Sequence, residues 1–111
     1  MDTLEKDRQI IETILTQRAA IPYTFSDVQR EVIFDRSHDS YLLVINGWEG
    51  WKRVHGVIVH VDIIDGKFWI QRDGTEEGIA TELMEVGIPK ERIVLAFRPP
   101  SVRPHTEFAV A

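Results

Sequence analysis

No cysteine occurs among the 111 residues, which removes disulfides and thiolate-bound metals and leaves no reason to place the chain in an oxidising compartment. No apolar run approaches the ~18 residues of a membrane span, and Met1 to Asp7 has neither the basic region nor the apolar stretch of a signal peptide. A cytoplasmic protein without membrane contact is expected. Basic charge is scarce as well. Lys and Arg number 13 against 18 Asp and Glu, net −5, whereas nucleic-acid binders neutralise phosphates with clustered cations. The candidates for a basic strip, Lys52, Arg53 and Arg72 or Arg98 and Arg103, are dispersed, which argues against direct nucleic-acid binding as the main activity.

Catalytic motifs are missing too. There is no Gly-x-Ser-x-Gly elbow and no Gly-rich run before Lys-Ser or Lys-Thr, and Ser26, Ser37, Ser40 and Ser101 fall in loops or at strand edges. Asp65-Gly66-Lys67 resembles the acidic-x-lysine element of a nuclease, but an Asp-Gly pair between two apolar runs is explained by a hairpin turn. The chain reads as a non-enzyme with no cofactor.

What is present describes one α+β domain over residues 1–111. With 43% hydrophobic and 28% charged residues it has enough apolar side chain for one core and none for a second. Leu4, Ile10, Ile11, Ile14 and Leu15 recur at helical intervals behind a cap at Asp2 or Thr3. Asp7, Arg8, Glu12 and Gln17 take the opposite face, and Pro22 closes the helix. Val32 and Phe34 begin an alternating pattern that ends at Asp35. Arg36 to Asp39 is a turn into Tyr41–Ile45, Glu49-Gly50 is the next turn with Asn46-Gly47 as alternative, and Asp65-Gly66 is a two-residue hairpin.

Centring that hairpin on Asp65-Gly66 pairs Ile63 with Phe68, Asp62 with Trp69, Val61 with Ile70 and His60 with Gln71. One face is then apolar: Leu42, Val44, Val57, Val59, Val61, Ile63, Phe68 and Ile70. The other is mixed, passing from Tyr41, Leu43, Ile45, Val54 and Ile58 to His60, Asp62, Trp69 and Gln71. Its apolar end needs a cover, from the C-terminal part or from another subunit in a homodimer. Lys52 to Ile64 would span about 40 Å fully extended, which predicts a bulge near Gly56. A second helix is expected from about Thr75 to Val86, capped by Thr75, with Ile79, Ala80, Leu83 and Val86 as its stripe and a Schellman-type stop at Gly87-Ile88. A short strand, Ile93–Phe97, and a proline-rich extended arm follow, from which Phe108 and Val110 dock back on the sheet or reach a partner. The order is therefore an N-terminal helix, an antiparallel meander of about four strands, a second helix, a short C-terminal strand and an arm.

Two groups of residues bear on function. His60 and Asp62, two apart on one strand, have the makings of a metal or acid–base pair, but a metal needs a third ligand and His55 alternates onto the opposite face. The simpler expectation is a half-buried polar pair satisfied by Gln71 and the Trp69 N–H. Trp48 and Trp51 bracket a turn with Lys52 and Arg53 beside them, the composition of a binding hot spot. Together with Trp69, His60, Asp62, Gln71, Arg98 and Arg103 they form the candidate partner-binding set.

Gly47-Trp48-Glu49-Gly50, His60-Val61-Asp62-Ile63, the run Asp65 to Glu76, Gly87-Ile88-Pro89-Lys90, Pro99 to Arg103 and Thr106 to Ala111 together resemble the XisI family, the fdxN element excision controlling factors. Glu49 departs from that pattern, in which Asp is usual. The resemblance spans the chain and implies a cyanobacterial α+β protein associated with excision of a DNA element during heterocyst differentiation. It also implies a companion, XisH, with a nuclease-like fold. It brings no catalytic residue set. The three functions to distinguish are a regulator that binds such a partner, a DNA-binding accessory excision factor, and a metal-dependent hydrolase centred on His60 and Asp62.

Overall fold

The computed structural model describes residues 3–21 and 27–111. The Asp2 cap and the Pro22 stop expected for the first helix lie outside them. That helix, α1, covers Thr3–Ala19. Four antiparallel strands follow: β1 (Asp27–Asp35), β2 (Ser40–Glu49), β3 (Lys52–Ile64) and β4 (Lys67–Asp73). A short helix α2 (Ile79–Glu85) crosses back to β5 (Ile93–Leu95), which runs parallel to β4 and completes a five-stranded sheet in sequence order. The class is α+β, as expected.

The Asp65-Gly66 hairpin forms with both residues at positive φ, 50° and 76°, and its register pairs Ile63 with Phe68, Asp62 with Trp69 and Val61 with Ile70. The helix stop also forms. Gly87 N–H donates to the Met84 carbonyl and Ile88 N–H to that of Leu83, with Gly87 at φ 99° and Ile88 buried.

The sheet departs from the expected register at two bulges. Val44 pairs with Val57 but Leu43 pairs with Val59, so Ile58 is an extra residue in β3, two positions from Gly56. Val61 pairs with Ile70 but His60 pairs with Arg72, not Gln71, so Gln71 is extra in β4. Gly74 N–H takes the Ile58 carbonyl at 2.8 Å, and a Cβ on Gly74 would come within 3.2 Å of the Ile58 side chain. A one-residue insertion reverses which side chains point inward. Tyr41 and Leu43 therefore join Val59, Val61, Ile63, Phe68 and Ile70 in the core against α1 and α2, while Leu42, Val44 and Val57 turn to the outer face. The expected facing is corrected for Tyr41, Leu42, Leu43, Val44 and Val57, and Ile58 too packs against the core, while Val59, Val61 and Ile63 keep theirs.

The tip differs by one residue. Glu49 pairs with Lys52, so the turn is Gly50-Trp51, with Gly50 at φ 65°. Gly47 serves another purpose: a Cβ there would sit 2.1 Å from the Asp27 carbonyl oxygen, so only glycine lets β1 approach. The second helix starts later than expected. Asp73 Oδ2 accepts Ile79 N–H at 2.7 Å and Thr75 Oγ1 accepts Gly78 N–H at 3.1 Å, so residues 74–78 form a hydrogen-bonded loop in place of a first turn. Ile79 and Leu83 are buried and Met84 packs where Val86 was expected, Val86 being exposed. The arm is not extended either. Tight turns at residues 99–102 and a 3-10 turn at Arg103–His105 fold it back, and Ala109 N–H donates to the Ile93 carbonyl. Phe108 packs on the core and Val110 stays exposed.

Asp7 corrects the expected polar face of α1: it is 2% exposed and ion-paired with Arg92. Arg92 also donates to the Gly66 carbonyl and lies over the Phe68 ring, tying α1, the β3–β4 turn and β5 together. The rest of that face clamps the β1–β2 turn. Arg8 grips Asp39 through two nitrogens, Tyr41 O–H donates to the same carboxylate, and Arg36 bridges Glu5 and Glu12. Hydrogen bonds from Arg36 hold the Glu12 carboxyl below its ordinary 4.5, those from Arg8 hold Asp39 below 3.8, and Ser37 and His38 bring Asp35 down to about 2. Burial, with Asp39 beside it, pushes the Tyr41 phenol up.

Two outcomes follow from these pairs. Arg92→Met strands a buried carboxylate and lowers unfolding free energy by about 3 kcal/mol, the low end for a broken buried pair because Arg92 is partly solvated. The double variant Asp7→Leu with Arg92→Met recovers most of the loss in urea titrations. Lowered folded-state carboxyl values mean that stability is present above the ordinary values and lost as pH falls through the lowered ones. The urea midpoint should fall from pH 4.5 toward about 2, and Arg8→Ala with Arg36→Ala should lower the midpoint at pH 7 and flatten that acid limb.

Candidate functional site

The outer face of the sheet carries no α-helix among the described residues, only Arg103 of the C-terminal 3-10 turn over Trp69, and the expected polar pair lies on it. Asp62 is a hub. Ser40 Oγ donates to Oδ1 at 2.7 Å, His60 Nε2 lies 2.9 Å from the same oxygen, and Gln71 Nε2 donates to Oδ2 at 3.2 Å. The extra residue in β4 leaves Gln71 unpaired yet within reach of Asp62, and Ser40 takes the place expected of the Trp69 N–H. Ser40 was missed in the sequence because its pairing with Asp62 depends on the β3 bulge.

This cluster is poorly arranged for chemistry. Both Asp62 oxygens are occupied, and the serine hydroxyl points at the carboxylate, not at the imidazole that would activate it. His55 is carried onto the same face by the bulge, correcting the expected alternation, but its cross-strand partner is Asn46 while that of His60 is Leu42. Four residues of strand, about 13 Å, separate the two imidazoles' rows. Among the described residues no three His, Asp or Glu side chains gather as metal ligands.

A cleft of about 380 Å³ opens on the helix side of the Ile58 bulge, between Arg18, Arg30, Leu43 and Gly74. Its cations face protein: Arg18 pairs with Glu82 and Glu77, and Arg30 donates to the Arg18 carbonyl.

The expected partner-binding residues do not form one patch. Trp69 is half-buried beneath the Arg103 guanidinium, 5.6 Å from the ring centroid, and Arg103 also donates to the carbonyls of Arg98 and Ala96. Arg98 stacks on Phe97. The C-terminal residues thus bind their own chain. The β2–β3 tip is different. Arg53 stacks on Trp48 at 5.3 Å and donates to the Gly47 carbonyl and Asn46, which stiffens the hairpin, while Trp48 remains 49% exposed and Trp51 92% exposed. The basic candidates split in the same way, with Lys52 and Arg53 at the tip, Arg72 beside Val57 and Arg98 and Arg103 in the C-terminal turns, so they trace no continuous strip.

The family model described as XisI protein matches residues 1–110. No curated protein matches the chain. Two crystal structures of proteins from Anabaena variabilis ATCC 29413 superpose over nearly its whole length. One is a XisI-like protein, 34% identical, covering 97% of this chain and 99% of that one with a TM-score of 0.90. The other, described as fdxN element excision controlling factor XisI, is 38% identical and covers 99% of this chain and all of that one with a TM-score of 0.83. No helix of the described residues is long and apolar enough to cross a membrane.

Proposed function

Because this chain belongs to the XisI family, we propose that it is a non-enzymatic regulatory protein controlling site-specific excision of a DNA element such as the fdxN element, and that it acts in the cytoplasm by binding a partner protein. The partner we propose is an XisH-like protein of nuclease-like fold. The reading is carried by Trp51, an indole left in solvent at the end of a braced hairpin. An exposed indole on a rigid turn loses little entropy on docking and offers both a large apolar area and an N–H donor. At the far end of the sheet the groups capable of chemistry are already engaged: the Asp62 oxygens by Ser40, His60 and Gln71, and the Trp69 ring by Arg103. The description of one solved relative as an excision controlling factor supports such a division, in which recombination is performed by another protein.

Co-expression of the chain with the XisH-like companion, followed by purification at low and moderate salt, tests the reading. Co-elution is expected, and separate elution at both salts overturns it. Trp51→Ala should weaken the complex at least about tenfold, as loss of a hot-spot side chain does, with the thermal midpoint unchanged because Trp51 contributes nothing to the core. Tight binding of free DNA by the isolated chain, falling steeply with salt, would move the function to the DNA itself.

A further inference from the structure

The outer face has a second property that the partner-binding tip does not use. Two adjacent rows cross it. One runs Glu31, Val44, Val57, and the next runs Ile33, Leu42, His60, Arg72. An open antiparallel face is ordinarily polar, yet the middle of this one is aliphatic, with Ile33 50% and Val57 36% exposed. The charges sit at opposite margins. Glu31 is exposed on the edge strand β1 and makes no ion pair among the described residues. Arg72, exposed on β4, donates through Nε to the Val57 carbonyl, which holds its guanidinium beside the apolar row.

We infer that a second copy of this chain covers the outer face, in a two-fold dimer that packs sheet on sheet. A two-fold axis running along the strands reverses their order across the interface, so β1 of one copy lies over β4 of the other. Glu31 then meets the second copy's Arg72, and Arg72 its Glu31, while Leu42 and Val44 lie on Val57 and His60. The charges complement each other twice and the aliphatic rows once, which is what an isologous contact requires. Glu31 and Arg72 are one row apart, about 7 Å, an offset within reach of two long side chains across sheets crossed at about 30°. Opposite charges at the margins of an apolar centre are also the anatomy of a protein interface. The same axis preserves strand direction, so both Gly50–Trp51 turns project from one end of the dimer and leave Trp51 free.

Sedimentation equilibrium of the full chain between about 1 and 100 μM tests this, since a micromolar dimer populates both states in that range. A reversible monomer–dimer equilibrium is expected. Glu31→Arg and Arg72→Glu, both at exposed positions, should each weaken it at least about tenfold by setting like charges together, and the double variant should return it to within about threefold of the parent. Circular dichroism should show all three folded as the parent is. Monomer throughout overturns the inference. So does a dimer indifferent to the single reversals, a double variant that fails to recover, or protection of Ile33 and Val57 from solvent only when the companion protein is added.

Discussion

The single extra residue at Ile58 is the constraint on which the rest of the structure depends. A strand alternates sides with a period of two, so inserting one residue reverses inside and outside for everything beyond it. Without the bulge, Leu42 and Val44 would enter the core and Tyr41 would be pushed onto the outer face, away from Asp39. With it, Tyr41 closes the core and its hydroxyl reaches the carboxylate that Arg8 also holds. The same reversal lines Leu42, Val44 and Val57 along the open face and brings Ser40 opposite Asp62. Gly74 holds the bulge in place by taking the carbonyl that the ladder leaves unpaired, in a gap a larger residue would fill. The Gln71 bulge lies across the same stretch of β3, between residues 60 and 61, so the two insertions bend the centre of the sheet together.

Local chemistry made much of this fold legible in the sequence. Asp65-Gly66 demands positive φ at both positions and fixes the register of β3 on β4 as far as Val61 and Ile70. Gly87 followed by Ile88 marks the end of α2 for the same kind of reason. What could not be read depends on partners distant in the chain. Asp7 looks like a solvent residue until Arg92, 85 positions later, is brought beside it. The bulge at Ile58 has no signature of its own, because Val57, Ile58 and Val59 are equally good strand residues. Gly56 and the length of the strand signal that a bend is needed, but not which residue takes it. The late start of α2 is a competition between an ordinary helix turn and the side chains of Asp73 and Thr75, which capture the backbone first.

The candidate site was legible in part, for a related reason. That Trp48 and Trp51 flank a turn follows from sequence spacing alone, and a one-residue error in the turn still leaves an indole at the tip. The grouping of Trp69, Arg98 and Arg103 with them does not follow, because the C-terminal residues fold back in two turns and spend their guanidiniums on Phe97, Trp69 and main-chain carbonyls. Prolines at 99, 100 and 104 suggest an extended arm when only the sequence is considered. They are equally compatible with tight turns, whose first positions need the φ that proline already has.

Satisfied and unsatisfied groups divide along the molecule, and that division argues for recognition over chemistry. Catalysis needs a polar group held ready but not neutralised by its neighbours. Asp62 instead receives bonds on both oxygens, and His60 is placed to stabilise that carboxylate. The groups left open to solvent are of another type: an indole at the hairpin tip, an aliphatic band across the outer face, and an exposed acid and base at that band's two margins. Apolar area left in water is itself destabilising relative to a covered state, so these features favour any contact that covers them. Gly47 and the Arg53 stack make the hairpin stiff beneath Trp51, the large apolar side chain with the greatest fractional exposure among the described residues. Stiffness lowers the entropy lost on association without adding a contact. A surface of that kind is physically suited to docking, because covering it removes apolar area from water at little cost in order.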